Sequence, residues 1–154
     1  FCQWLENNLL LFNSHITHTS GDLHKSVWRR FEAGDQEIVR GLDMIRDAGL
    51  LMANGVKTES KADVIDAMIL NSAGVDILGF ELHEPFRDEL VNLSQQNKVS
   101  AWKAMGAGGG GVVGLIVSSP QYINEVIEQL KQKGWTNIPW KIDFDGVVRQ
   151  ETNL

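Results

Sequence analysis

At 154 residues with a formal net charge of −6, the chain has the size of one domain that buries about 70% of its unfolded surface. Its acidic balance argues against a general nucleic-acid binder, whose footprint is a basic patch. Hydrophobic residues make up 43% and charged residues 22%, enough apolar material to exclude intrinsic disorder, while no apolar run approaches the roughly 18 residues of a membrane-spanning helix.

Cys2 is the one cysteine, which rules out an internal disulfide framework or a cysteine-rich zinc site and favours a reducing, cytoplasmic setting. The chain opens on Phe1-Cys2-Gln3-Trp4 without an initiator methionine. It is expected to begin inside a longer gene product or at a processed start, and these residues do not read as a signal peptide.

Leu9-Leu10-Leu11-Phe12, followed by Asn13 to Thr17, is a short apolar run turning β-branched and predicts a buried strand. Thr19, Ser20 and Asp22 are N-cap candidates for a helix reaching about Phe31. Ile38, Leu42, Ile45, Leu50 and Leu51 recur at helical spacing, and Asn54-Gly55 signals a turn or C-cap. A further helix starts at Thr58 or Ser60, with Val64, Ile65, Met68 and Ile69 inward, and Gly74 and Gly79 break the next stretch. Pro85 suits the first turn of a short helix over 86–96, with Leu90 and Leu93 inward.

Val99 to Met105 predicts a strand, Gly106 to Gly111 a loop that no helix tolerates, and Val112 to Val117 a β-branched strand. Ser118-Ser119-Pro120 caps a helix to Lys133 with Ile123, Val126, Ile127 and Leu130 on one stripe, and Gly134 ends it. Trp140 to Phe144 alternates as a half-exposed strand does, Asp145-Gly146 signals a turn, and Val147-Val148 extends the pairing. The order β, helices, ββ, α, β predicts an α+β architecture: a four-stranded antiparallel sheet with helices packed on one face, in a single domain over 1–154.

Six of the 15 glycines fall between Gly106 and Gly114. Gly106-Ala107-Gly108-Gly109-Gly110-Gly111 satisfies G-x-G-x-x-G by letter, but a dinucleotide fingerprint opens a helix, whereas Val112 to Val117 is strand-like. No Gly-Lys-Ser/Thr comes after it, so the Walker A pattern fails too. The reading that survives is a glycine array whose unobstructed amides form an anion-binding concavity or admit a close backbone approach; the plainer alternative is a flexible hairpin tip. Lys103 places a cation near the base of this loop.

Lys103-Ala104-Met105 followed by Gly106 to Gly111 resembles the third conserved motif of the GHMP kinases, and most closely their sugar-kinase members acting on heptose phosphates, galactose or fucose. Leu11 to Leu23 is similar to the family's strand-turn-helix, where a Thr-Gly pair and an arginine usually stand; this chain has Ser14-His15 and His18 there. The resemblance implies the C-terminal domain of a two-domain kinase, a ferredoxin-like plait. Its partner would be an N-terminal domain carrying a Pro-x-x-x-Gly-Leu-x-Ser-Ser loop for ATP phosphates, together with the Mg²⁺ ligands and the general base. That pattern does not occur in this chain.

The resemblance further implies that Lys103, Gly106, Ala107, Gly108, Gly109, Gly110 and Gly111 form a phosphate- and substrate-facing loop. His18 would be a substrate contact, and none of these residues would serve as acid or base. Phosphoryl transfer is mainly positioning and charge stabilisation, so backbone donors from Gly108 to Gly111 would suffice for that role. The isolated chain is expected to be inactive, with ATP and Mg²⁺ held mainly by the other domain. An alternative of a different class is a noncatalytic ferredoxin-like ligand-binding or regulatory domain; a third is a fragment whose loop only packs against a partner.

Other constellations are weaker. His15, His18 and His24 invite a zinc reading, but His15 and His18 point to opposite faces of a regular strand. His83-Glu84 reads as a surface pair, and Asp143, Asp145 and Glu151 as strand face, turn former and tail rather than a catalytic set. Trp28, Trp102, Trp135 and Trp140 are core or interface anchors, and Trp28-Arg29-Arg30 reads as a helix face. Cys2 lacks a neighbour that would activate it. A homodimer is compatible with an exposed face that a partner domain would otherwise cover.

Overall fold

The computed structural model describes residues 1–16, 20–80, 82, 86–106 and 109–146, and only the backbone of 20–23. Among the described residues four short runs form the sheet: β1 (Leu9–Asn13), β2 (Val99–Ala104), β3 (Val112–Val117) and β4 (Thr136–Ile138). Their spatial order is β2-β3-β1-β4, and every neighbouring pair is antiparallel. Phe12 of β1 stands opposite Val113 of β3 and Asn137 of β4, so the first strand of the chain lies inside the sheet. With a helix before β2 and another before β4, this is the expected α+β ferredoxin-like plait.

The helices are α1 (Cys2–Asn8), α2 (Ser20–Glu32), α3 (Gln36–Thr58), α4 (Lys61–Ile77), α5 (Phe86–Gln95) and α6 (Ile123–Gln132), the last entered through a 3₁₀ turn at Pro120–Tyr122. Capping depends on the side chains available. Asp35 accepts the Glu37 amide at 3.0 Å to start α3, and Ser60 accepts the Asp63 amide at 3.2 Å to start α4. The Arg30 guanidinium, hydrogen-bonded to Asp35 at 2.8 Å, helps hold the Asp35 carboxyl below its ordinary range. Helix α1, which the sequence pattern does not predict, is held partly by Asn8, whose Nδ2 donates to the Trp4 carbonyl at 2.7 Å.

Strand β3 is apolar at nearly every position, so both of its faces need cover. On one face Phe12, Val113, Leu115 and Val117 pack with Leu90 and Leu93 of α5, Val126 and Leu130 of α6, and Trp135. On the other, Ala101 and Ile116 pack with Val64 and Met68 of α4 and with Phe1 and Trp4 at the start of the chain. Helices therefore lie on both faces of the sheet, not on one. Leu90, Leu93, Val126 and Leu130 are fully buried, each worth about 1.5–3 kcal/mol of apolar burial. A third cluster of Ile38, Leu78 and Phe80 ties α3 to the exit of α4.

Several expected breaks are not breaks. Gly55 and Gly74 lie inside α3 and α4, where the two helices touch. A Cβ on Gly74 would sit 2.8 Å from the Gly41 carbonyl oxygen and 2.9 Å from Ile45 Cγ1, and one on Gly55 would sit 2.9 Å from the Asp63 Cβ. These glycines are close-approach positions. Leu50 and Ile69 are exposed rather than inward. The last strand is Thr136–Ile138, not Trp140 to Phe144. Pro139 succeeds it without an N–H to continue the ladder, and the Trp140 indole N–H instead donates to the Leu9 carbonyl at 2.9 Å. Val147 and Val148 lie outside the described residues. Among the described residues no helix is long and apolar enough to cross a membrane.

Candidate functional site: the glycine loop and its anchors

The β2–β3 hairpin closes with the Met105 amide on the Val112 carbonyl at 2.7 Å. Gly106, Gly109 and Gly111 have φ of +84°, +74° and +72°, a region side-chain-bearing residues enter only at a cost. Ala107 and Gly108 lie outside the described residues. The loop is fastened from two sides. The Gly109 N–H donates to the Phe80 carbonyl at 2.9 Å, and the Gly111 N–H to the Ile16 carbonyl at 3.0 Å. In return the Gly111 carbonyl accepts from the Ser14 amide at 2.8 Å and the Ser14 hydroxyl at 2.9 Å. Gly110 is buried against Ile16, and a Cβ there would meet the Ile16 Cβ and Cγ2 at 2.8 Å.

This geometry revises the expectation that all four amides from Gly108 to Gly111 face a guest. Those of Gly109 and Gly111 are engaged by main-chain carbonyls. Among the described residues the amides of Gly106 and Gly110 have no hydrogen-bond partner. Ser14, Ile16 and Phe80 are anchors that sequence reasoning missed. Only Ser14 carried a signal, a small hydroxyl at the end of a strand. His15, at the position where the family resemblance puts a glycine, has φ +58°, the region glycine enters freely.

Lys103 is half-buried, and its Nζ donates to the Ala104 carbonyl at 3.1 Å. Burial lowers the pKa of its ammonium below the ordinary lysine value. No described carboxylate forms an ion pair with it. Its side chain lines openings walled by α4 residues rather than by described residues of the glycine loop.

The two described histidines, His15 and His24, do not converge. His15 Nε2 meets Thr136 Oγ1 at 2.8 Å, while the His24 ring stands edge-on to Phe80 with centroids 5.8 Å apart. His18 lies outside the described residues, as do His83, Glu84, Pro85 and Glu151. No group of three or more candidate metal ligands occurs among the described residues. The Asp145 amide donates to the Asp143 carboxylate at 2.8 Å in a turn. Trp135 is core, Trp28 is exposed against Phe31, and Cys2 is exposed and free.

The fold and loop together define a class: an α+β plait whose central hairpin carries a glycine loop anchored to the first strand and to the end of a long helical pair. Residues 61–135, which span α4, α5, the hairpin and α6, match the family model described as GHMP kinases C terminal. This stretch is similar to GHMP kinase C-terminal sequence, the family the loop resembles.

The fold is similar to that of a Listeria innocua protein, Lin0012, with a TM-score of 0.71 and 13% identity over 85% of this chain and 38% of that one. It is also similar to L. major mevalonate kinase solved with R-mevalonate, with a TM-score of 0.55 and 16% identity over 81% of this chain and 38% of the other. A third similar structure is a presumptive sugar kinase from Campylobacter jejuni, with a TM-score of 0.50 and 14% identity over 92% of this chain and 35% of that one. The chain thus spans little more than a third of the length of each. No curated protein matches it.

Proposed function

We propose that residues 1–154 are the C-terminal domain of an ATP-dependent kinase that phosphorylates a hydroxyl of a small molecule, a sugar or sugar phosphate. The observation that carries this reading is the pinned glycine loop within the stretch that matches the family: Gly109 and Gly111 fasten it to Phe80 and Ile16. That leaves the Gly106 and Gly110 amides without described partners. A loop held in this way is preorganised, and preorganised dipoles stabilise developing charge without reorganising during the reaction. The sugar class rests on the motif running from Lys103 to Gly111 and on the sugar-kinase name of one fold neighbour.

In this reading the partner domain holds ATP and Mg²⁺ and supplies the general base. The γ-phosphoryl group passes to the substrate hydroxyl while this chain closes the site and excludes water. Lys103 lies at the loop base, and His18 is proposed as a substrate contact. The test is ADP release from ATP and Mg²⁺ over a panel of sugars, sugar phosphates and mevalonate. The full gene product is expected to turn over at least one of them, and the 154-residue chain alone none. Robust turnover by the isolated chain, or none by a full product carrying the ATP loop, overturns the reading.

A further inference from the structure

A second opening lies away from the described residues of the glycine loop, between α3, α4 and strand β2. It has a volume of about 140 Å³ and is walled by Met52, Ala67 and Met68, with Asn71 and Lys103 as its polar groups. Both polar groups have unused hydrogen-bonding capacity. The Lys103 ammonium has three donors, and the Ala104 carbonyl takes one at 3.1 Å. The Asn71 carboxamide has no partner among the described residues. Asp76, a carboxylate near the end of α4, is held by Arg87 at 2.7 Å. A half-buried ammonium with no ion-pair partner among the described residues is costly, and a bound anion offsets that cost.

We infer that this opening binds a small aliphatic monocarboxylate, its carboxylate held by Lys103 Nζ and the Asn71 carboxamide and its short tail lying against Met52, Ala67 and Met68. Size sets the length of the tail. An engineered cavity of about 150 Å³ accepts benzene, so about six non-hydrogen atoms fit, the size of butyrate. Chemistry selects carboxylate over phosphate: two oxygens match one ammonium and one amide, whereas further phosphate oxygens would be stranded against methionine and alanine. The site lies beyond the proposed kinase chemistry and needs no nucleotide.

The experiment tracks the methyl resonances of Met52 and Met68 while butyrate, n-butanol and inorganic phosphate are added separately to the protein without ATP. Butyrate is expected to shift both methyls saturably, and the other two to leave them in place. Lys103→Met is expected to weaken butyrate binding by about tenfold or more, and Lys103→Arg to retain most of it. Asn71→Leu, which leaves Lys103 intact, is expected to weaken it by about threefold and gives an independent reading should Lys103→Met fail to fold. Equal shifts with butanol, larger shifts with phosphate, no shift with butyrate, or unchanged affinity in Asn71→Leu would each overturn the assignment.

Discussion

Gly110→Ala tests the loop architecture with little confusion from backbone strain, because Gly110 is not among the positive-φ positions. Its cost is therefore steric. The new Cβ would lie 2.8 Å from the Ile16 Cβ and Cγ2 and 3.3 Å from the Ile16 carbonyl oxygen. Carbon pairs settle at about 3.5–4.0 Å, so loop and strand exit must part by about 0.7 Å. The Gly111 N–H to Ile16 carbonyl bond, now 3.0 Å, would stretch beyond useful length, and its loss costs about 0.5–1.5 kcal/mol. Overpacking adds about 1–3 kcal/mol. The expected destabilisation is about 2–4 kcal/mol, or a fall in Tm of about 4 °C or more for a chain of this size.

Urea denaturation monitored by tryptophan fluorescence measures the stability. Amide exchange at Ser14 and Gly111 locates the damage, and both amides should exchange faster. A variant with the wild-type midpoint and unchanged protection at these two amides would refute the pinned-loop description.

Ser14→Ala removes the hydroxyl that donates to Gly111 and should lower stability by about 1 kcal/mol, read in the same urea assay. Gly74→Ala drives a methyl toward the Gly41 carbonyl and Ile45 and should cost about 1–3 kcal/mol. Gly49→Ala has open space and should stabilise the protein by about 0.5–1 kcal/mol through helix propensity; thermal melts that gave the same sign for both would contradict the α3–α4 contact. Because Asp35 is held below its ordinary pKa of 3.8, its contribution is present above that value and is lost as pH falls through the depressed one. Asp35→Asn should therefore flatten this part of the acid limb of Tm against pH.

Much of the fold was legible where a short segment has only one way to bury its apolar residues. Strands β1, β2 and β3 and the stripe of α6 declare themselves through runs or spacings that tertiary contacts merely complete. Gly55 and Gly74 misled because a glycine that ends a helix and a glycine that lets a second helix approach are the same letter. Trp140 to Phe144 misled because alternation reports half-exposure, while pairing requires a free edge and an N–H, and Pro139 supplies none. Helix α1 was missed because seven residues carry little periodic signal. At the site the six-residue glycine run was plain, yet the partners of its amides were not. Phe80 and Ile16 are ordinary apolar residues that act through their carbonyls, and a backbone atom leaves no mark in a sequence.

The pairing of Leu9 with Ile116 also bears on how the molecule is made. At about 5–20 residues per second of synthesis, β1 leaves the ribosome about 5–20 s before its neighbour β3 exists. Throughout that wait Leu9-Leu10-Leu11-Phe12 is an apolar ribbon with both edges open, while the helical pair α3–α4, whose contacts are near in sequence, can already form. Nascent chains stalled before Val112 should therefore be helical, chaperone-bound and without a sheet.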